Sequence, residues 1–139
     1  MKLDDVVTHW ADTWRSLAAW GAPIPMRVTV KPYKGTQRVG VAWCYQGRAN
    51  VYVTGDLAFD LATALHELAH LAAPNSEHHG ERWKLIFAKA VGEACGVDPD
   101  EFEIDVKITD LDRQAREAVA GWLMRSGQSV VLRAIGVMS

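Results

Sequence analysis

Residues 57–83 read LAFDLATALHELAHLAAPNSEHHGERW and hold four of the five histidines in the chain. In the first part of this stretch, apolar residues recur at the i, i+4, i+7 spacing of an α-helix until Pro74 and Asn75 interrupt the pattern. The apolar positions are Leu57, Leu61, Ala64, Leu65, Leu68, Leu71 and Ala72. The spacing therefore predicts a helix that ends just before Pro74.

Within this helix, His66, Glu67 and His70 form the pattern H-E-x-x-H. Residues four apart lie on one helix face, with side chains about 5–6 Å apart, so two imidazoles can bind one metal ion. At about 100° per residue, both histidines point away from the leucine stripe of the same helix. Glu67 lies next to the first histidine, where a carboxylate can take a proton from a metal-bound water. The pattern predicts a hydrolytic metal site.

A catalytic zinc ion takes three protein ligands and keeps its fourth position for water. A metzincin would supply the third ligand through the pattern HExxHxxGxxH, but Ala73 stands at its glycine and Ser76 at its last histidine. That class is excluded. Glu93, from the following helix, stays open as an alternative ligand, but a surface pair with Lys89 is the favoured explanation for it.

The favoured third ligand is His79. It precedes Gly80, which we expect to give the backbone freedom for a close approach to the metal. It also lies four residues before Trp83, whose ring can pack over the start of the next helix. The neighbouring His78 is predicted to be an exposed loop residue or a contact to the substrate.

Three runs upstream of the motif alternate apolar and polar residues, as half-buried strands do. They are residues 26–33, 38–45 and 49–54. Gln46, Gly47 and Arg48 join the last two runs, which predicts a β-hairpin. Three strands in succession predict a small, mostly antiparallel sheet with the order of a meander. Residues 49–54 are a candidate edge strand for an extended peptide, with a plain core strand as the alternative.

The segments on either side predict three further helices and one extended stretch. Residues 3–20 predict an opening helix, and we place His9, which lies within it, outside the site. A helix from Gly80 to Gly96 should follow the motif. Beyond it, residues 102–108 alternate as an extended segment does, and Thr109 or Asp110 is expected to cap a further helix. The apolar residues 129–139 fit either a strand or a helix.

The length and composition limit the classes of protein to which the chain can belong. With 139 residues, the chain predicts a single domain over residues 1–139. A formal net charge of −2 and the absence of a basic block give no support to a nucleic-acid partner. No apolar run is long enough for a membrane span or a secretory signal, which favours a soluble, cytoplasmic protein. Cys44 and Cys95 are too few for a zinc ribbon and are expected to be buried apolar residues.

The order of these features resembles the SprT-like zinc metallopeptidases over residues 39–96. The resemblance rests on a hairpin strand, a Gly-Asp-Leu connection, a helix containing HELAHL, and HG followed three positions later by an aromatic residue. It implies a zincin-like α+β fold and one Zn²⁺ held by His66, His70 and His79, with Glu67 as the catalytic base. That family often carries a cysteine zinc ribbon or DNA-binding extensions. The 139 residues contain neither ribbon cysteines nor a basic tail, so a role on DNA does not follow.

The expected activity is zinc-dependent hydrolysis of peptide bonds in a peptide or protein substrate. Candidate donors to the developing oxyanion are Tyr45, Tyr52 and Arg82. Acids that either orient a ligand histidine or simply cap helices and face solvent are Asp56, Asp60, Glu77 and Glu81. Two alternatives stay open: a metal-stabilised, non-catalytic binding or regulatory protein of zincin fold, and a metal-dependent hydrolase of a non-peptide amide.

Overall fold

A small sheet packs against three helices in the part of the chain described by the computed structural model, which is residues 27–35, 39–43, 47–73 and 79–125. The strands are β1 (Arg27–Pro32), β2 (Gly40–Trp43) and β3 (Arg48–Val53). The α-helices are α1 (Leu57–Ala72), α2 (Glu81–Cys95) and α3 (Ile108–Met124), with a 3-10 helix at Pro99–Glu101. The α+β class is confirmed. The predicted opening helix with His9, and residues 129–139, lie outside the described residues.

The sheet has the order β1-β3-β2, so the predicted meander is wrong. The hairpin of β2 and β3 is confirmed, but β1 runs parallel to β3 on its other side, which makes the sheet mixed and not mostly antiparallel. Residues 33–39 connect β1 to β2. Seven residues easily cross two strand spacings of about 4.8 Å each, so this order needs no longer connection than a meander would. Pro32 fits an edge strand, because a central strand would need its missing N–H.

The order of the strands determines which of them could pair with an extended peptide. β3 has a neighbour on each side, so the prediction of an edge strand at residues 49–54 is wrong. Within the part of the chain that the structure describes, the edge strand on the other side of the hairpin is β2. Its residues Gly40 and Ala42 face Val51 and Ala49 across the antiparallel ladder. Because Tyr52 N–H donates to Val39 C=O, ladder alternation turns the backbone N–H and C=O groups of Gly40 and Ala42 outward, away from β3.

Two aspartates stabilise the connection between β3 and α1. Asp56 caps α1 by accepting a hydrogen bond from Phe59 N–H at 3.1 Å. Asp60 is fully buried and accepts from the Thr54 hydroxyl at 2.7 Å and from the backbone N–H groups of Thr54 and Gly55 at 3.1 and 3.2 Å. The connection also requires a glycine at Gly55, whose φ is 99°. These bonds set the direction in which α1 leaves the sheet.

The core lies between the sheet and the helices, and the leucine stripe of α1 forms its centre. The largest fully buried side chains are Val51, Leu61, Leu65, Leu68, Leu71, Trp83, Phe87, Val91, Leu111 and Val119. Cys95 is also buried, as predicted, and this burial raises the pKa of its thiol to about 12 despite the opposing charge of Arg125. Among the described residues, no helix has both the length and the apolar character needed to cross a membrane.

The segment between α2 and α3 packs its apolar residues inward without joining a strand. Phe102, Ile104, Val106 and Ile108 are half-buried against the core, and the residues between them are exposed. The Lys84 ammonium donates to Val106 C=O at 2.6 Å, and the Gln114 amide bonds both backbone groups of Glu103. Lys107 is the N-cap residue of α3, so the prediction of Thr109 or Asp110 as the cap is wrong. Both residues lie in the first turn, because the anchored segment starts the helix earlier.

Candidate metal centre

Three histidine side chains converge at the junction of α1 and α2. His66 and His70 lie one turn apart on α1, and His79 lies just before α2. The Nε2 atom of His79 is 3.0 Å from Nε2 of His66 and 3.1 Å from Nε2 of His70. In a tetrahedral zinc site with bonds of 2.0–2.1 Å, ligand nitrogens are about 3.3 Å apart. The three histidines therefore lie close enough to bind a metal ion.

His79 reaches this cluster through an uncommon backbone conformation. Its φ is 55°, in the left-handed region that costs a non-glycine residue roughly 1–2 kcal/mol. Gly80 has a φ of −73° and a ψ of 179°, a conformation that any residue adopts. The backbone freedom predicted at Gly80 is thus needed one residue earlier, at His79 itself. Strain held at a candidate ligand is consistent with a constrained site.

The indole of Trp83 supports all three imidazoles. Its ring centroid lies 4.7–4.8 Å from those of His66, His70 and His79, and it is stacked on His70 with an angle of 25° between the planes. Phe87 also stacks on the indole, with ring centroids 4.9 Å apart. Trp83 is fully buried. The aromatic residue of the HG-x-x-aromatic element therefore packs the ligand rings together.

A carboxylate that the sequence analysis missed contacts the first histidine. Nδ1 of His66 lies 2.8 Å from Oδ1 of Asp112, which is 46 residues away on α3. Asp112 has no motif spacing to the histidines, so only the packing of α3 beside α1 brings the two side chains together. The nearest signal in the sequence is the apolar face of α3, which predicts that this helix packs on the core but not which polar residue reaches the site.

A cavity of about 500 Å³ opens beside the histidines. The edge strand β2 forms one wall, α3 contributes Asp112 and Arg116 to another, and α1 provides the floor. The lining residues are Val39, Gly40, Val41, Ala42, Phe59, Ala62, Thr63, His66, Glu67, His70, His79, Asp112 and Arg116. Glu67 is only 6% exposed, yet it belongs to this lining. The predicted base and the three predicted ligands thus share one cavity.

Gly40 lets the edge strand lie directly over α1. A methyl group at this position would lie 2.9 Å from Cγ of Glu67, 3.0 Å from Oε2 of Glu67 and 2.9 Å from Cγ2 of Thr63. Carbon atoms in ordinary contact are about 3.5–4.0 Å apart. A glycine is therefore required for the close approach of β2 to the Glu67 carboxylate.

We expect Gly40→Ala to lower the free energy of unfolding by about 1–3 kcal/mol, the usual cost of overpacking. Chemical denaturation followed by circular dichroism measures this loss. The double variant Gly40→Ala, Thr63→Ser removes the clashing methyl group of Thr63 and keeps its hydroxyl, which donates to Phe59 C=O. It should recover part of the stability. Wild-type stability in Gly40→Ala alone would contradict the described contact.

The other candidate residues have different positions. Tyr45, Glu77 and His78 lie outside the described residues, so their roles stay predictions. Tyr52 is half-buried on β3, and strand alternation places it on the opposite face from the buried Val51 and so from α1. The exposed Arg82 lines a separate shallow depression on α2, and Glu93 is exposed on the same helix and outside the histidine cluster.

The acids predicted either to orient a ligand histidine or to cap helices take other positions wherever the structure describes them. Asp56 caps α1 and pairs with Arg116, and Asp60 anchors the connection before α1. Glu81 is exposed in the first turn of α2. The carboxylate that does contact a histidine of the cluster is Asp112, at 2.8 Å from His66 Nδ1.

The cluster offers only imidazole nitrogens, a donor set that suits zinc and neighbouring transition metals better than magnesium or calcium. No second group of three or more such ligands occurs among residues 27–35, 39–43, 47–73 and 79–125. Comparisons of the chain with protein-family models, with curated proteins and with solved structures find no match.

Proposed function

We propose that the chain is a zinc-dependent peptidase with a zincin-like arrangement, similar to the SprT-like enzymes that its motifs resemble. The observation that carries the proposal is that three histidine Nε2 atoms converge in the same cavity as the buried carboxylate of Glu67. His66, His70 and His79 are the ligands, and Glu67 is the base.

The donor set supports zinc as the metal. Catalytic zinc sites use three protein ligands with nitrogen, sulfur or oxygen atoms and leave a fourth position open. Here the three imidazoles border a cavity, so space remains on the side where a water and a substrate would approach. The bond from His66 to Asp112 is of the kind that orients metal-bound histidines in proteins.

The protein's own contribution to the chemistry is to move a proton. When bound, zinc supplies a Lewis acid that polarises a carbonyl group and eases the deprotonation of water. Glu67 accepts the proton of the attacking water and returns it to the nitrogen of the leaving amine. Its buried position beneath Gly40 keeps the carboxylate close to the histidines and largely out of bulk water.

The edge strand favours an extended peptide as the substrate. Gly40 and Ala42 line the cavity, and their backbone N–H and C=O groups point away from β3. A peptide can add to such an edge through main-chain hydrogen bonds, which do not depend on the peptide's sequence. A small non-peptide amide would make no use of this wall. The edge strand therefore supports hydrolysis of peptides over hydrolysis of a non-peptide amide.

The position of Glu67 also separates the proposal from a metal site that serves folding alone. A structural zinc site is closed by four protein ligands and needs no base. Glu67 lines the same cavity as the three histidines, where a carboxylate can act as a base.

The first test is metal-dependent cleavage by the full chain. We expect the zinc-loaded protein to cleave members of a mixed peptide library, detected by mass spectrometry. Treatment with 1,10-phenanthroline should stop cleavage, and added zinc should restore it. A protein that holds one zinc per chain but leaves every peptide intact would contradict the proposed function.

A further inference from the structure

We infer that Asp112 is a positioning residue of the metal centre, which holds the His66 ring in the tautomer and orientation whose Nε2 atom can bind the ion. This inference rests on the metal site of the proposed function but not on its hydrolytic activity.

The hydrogen bond determines which nitrogen of His66 carries the proton. An ionised carboxylate only accepts hydrogen bonds, so in the contact of 2.8 Å the Nδ1–H group of His66 donates to Asp112. A neutral imidazole has one N–H group, so its Nε2 atom keeps a free lone pair. This Nε2 atom lies 3.0 Å from Nε2 of His79, on the side of the other ligands. The hydrogen bond to Asp112 thus leaves the Nε2 atom of His66 able to bind the metal ion.

The same bond sets the rotation of the ring. The other close neighbours of His66 include Trp83 and Phe87, with ring centroids 4.7 and 5.5 Å away. These contacts are between aromatic surfaces, which hardly distinguish a ring nitrogen from a ring carbon. Asp112 does distinguish them, because it bonds only a donor. Turning the imidazole by half a turn would lose this bond and move Nε2 away from the cluster.

Asp112 is not needed to hold α3 in place. The helix is anchored by the buried side chains of Leu111, Ala115 and Val119, and by the ion pair of Arg116 with Asp56. The side chain of Asp112 is 43% exposed, whereas that of His66 is 17% exposed. Replacing Asp112 therefore removes no core packing, and the main loss is the bond to His66.

Two variants and a matched control test the inference through zinc affinity, measured by competition with a chelator. Asp112→Ala removes the acceptor, and we expect zinc affinity to fall by about 10- to 100-fold, as for other partners of metal-bound histidines. Asp112→Asn keeps an acceptor oxygen without the charge and should lose less. Glu117→Gln makes the same carboxylate-to-amide change on the exposed side of α3, where Glu117 pairs with Arg113, and should bind zinc as the wild type does.

A second measurement needs neither metal nor activity. Nitrogen-15 NMR of the histidine rings in the metal-free protein reports which nitrogen carries the proton. In the wild type we expect His66 to be protonated at Nδ1, and in Asp112→Ala we expect the Nε2–H tautomer to appear. A structural role for Asp112 would change stability without moving this signal.

The outcomes separate the two proposals. Reduced zinc affinity in Asp112→Ala, together with the change of tautomer, supports the inference even if no peptide is cleaved. A folded Asp112→Ala variant with wild-type zinc affinity overturns it, whether or not the wild type is a peptidase. If the alanine variant does not fold, a wild-type His66 found protonated at Nε2 overturns it equally. A wild type that binds no zinc would contradict the metal site, on which both proposals depend.

Discussion

Glu67→Gln is expected to stop peptide hydrolysis while the metal stays bound. Glutamine has nearly the same shape as glutamate, so the packing of the side chain beneath Gly40 is kept. It cannot accept and return a proton, and losing a general base lowers rates by about 10²- to 10⁴-fold. The effect should appear in kcat with little change in KM. Peptide turnover and zinc content, measured on the same sample, check both halves of the prediction.

Glu93→Gln is the matched control for this variant. Glu93 is exposed on α2, so we expect this variant to keep both zinc and activity. Loss of zinc from Glu93→Gln would instead support the alternative ligand set. A Glu67→Gln variant that cleaves at the wild-type rate would contradict the proposed mechanism, because no proton acceptor would then be needed at this position.

The second large effect is expected at His79. Removing one of three ligands should weaken zinc binding by more than the roughly 10- to 100-fold that loss of an outer partner costs. His79→Asn is the preferred variant, because asparagine tolerates the left-handed conformation that His79 adopts at a φ of 55°. The fold should therefore persist without the imidazole. Chelator competition measures the affinity, and circular dichroism checks the fold.

His9→Asn makes the same change at the histidine that we place outside the site. It should bind zinc as tightly as the wild type does. If His79→Asn also kept full affinity, the third ligand would lie elsewhere, with His78 and Glu93 as the candidates. Such a result would be hard to reconcile with the convergence of the three Nε2 atoms.

Much of the site is local in the sequence and therefore predictable. His66, Glu67 and His70 lie within one helix, whose period places the histidines opposite the leucine stripe, and both features are present in the structure. His79 follows after a short connection, so its contact with the first two histidines needs only one turn of the chain. The cluster of three histidines was predictable for this reason.

Features that depend on the packing of distant elements were not predictable. Asp112 reaches His66 from 46 residues away, and nothing in its local sequence distinguishes it from the other acids of α3. The order of the sheet depends on whether the chain places β2 beside β1 or on the other side of β3. The turn-forming residues between β1 and β2 do not specify this choice. The positive φ of His79 was not predictable either, because the glycine that follows it is the residue that usually takes this conformation.

The most direct test of the metal site is an anomalous difference map, recorded at the zinc absorption edge from crystals of the zinc-loaded protein. We predict one peak per chain, about 2.0–2.1 Å from the Nε2 atoms of His66, His70 and His79, with water in the fourth position. A fourth protein ligand would contradict the hydrolytic proposal, because the position required for water would be closed. The absence of a peak at the three histidines would contradict the metal site itself.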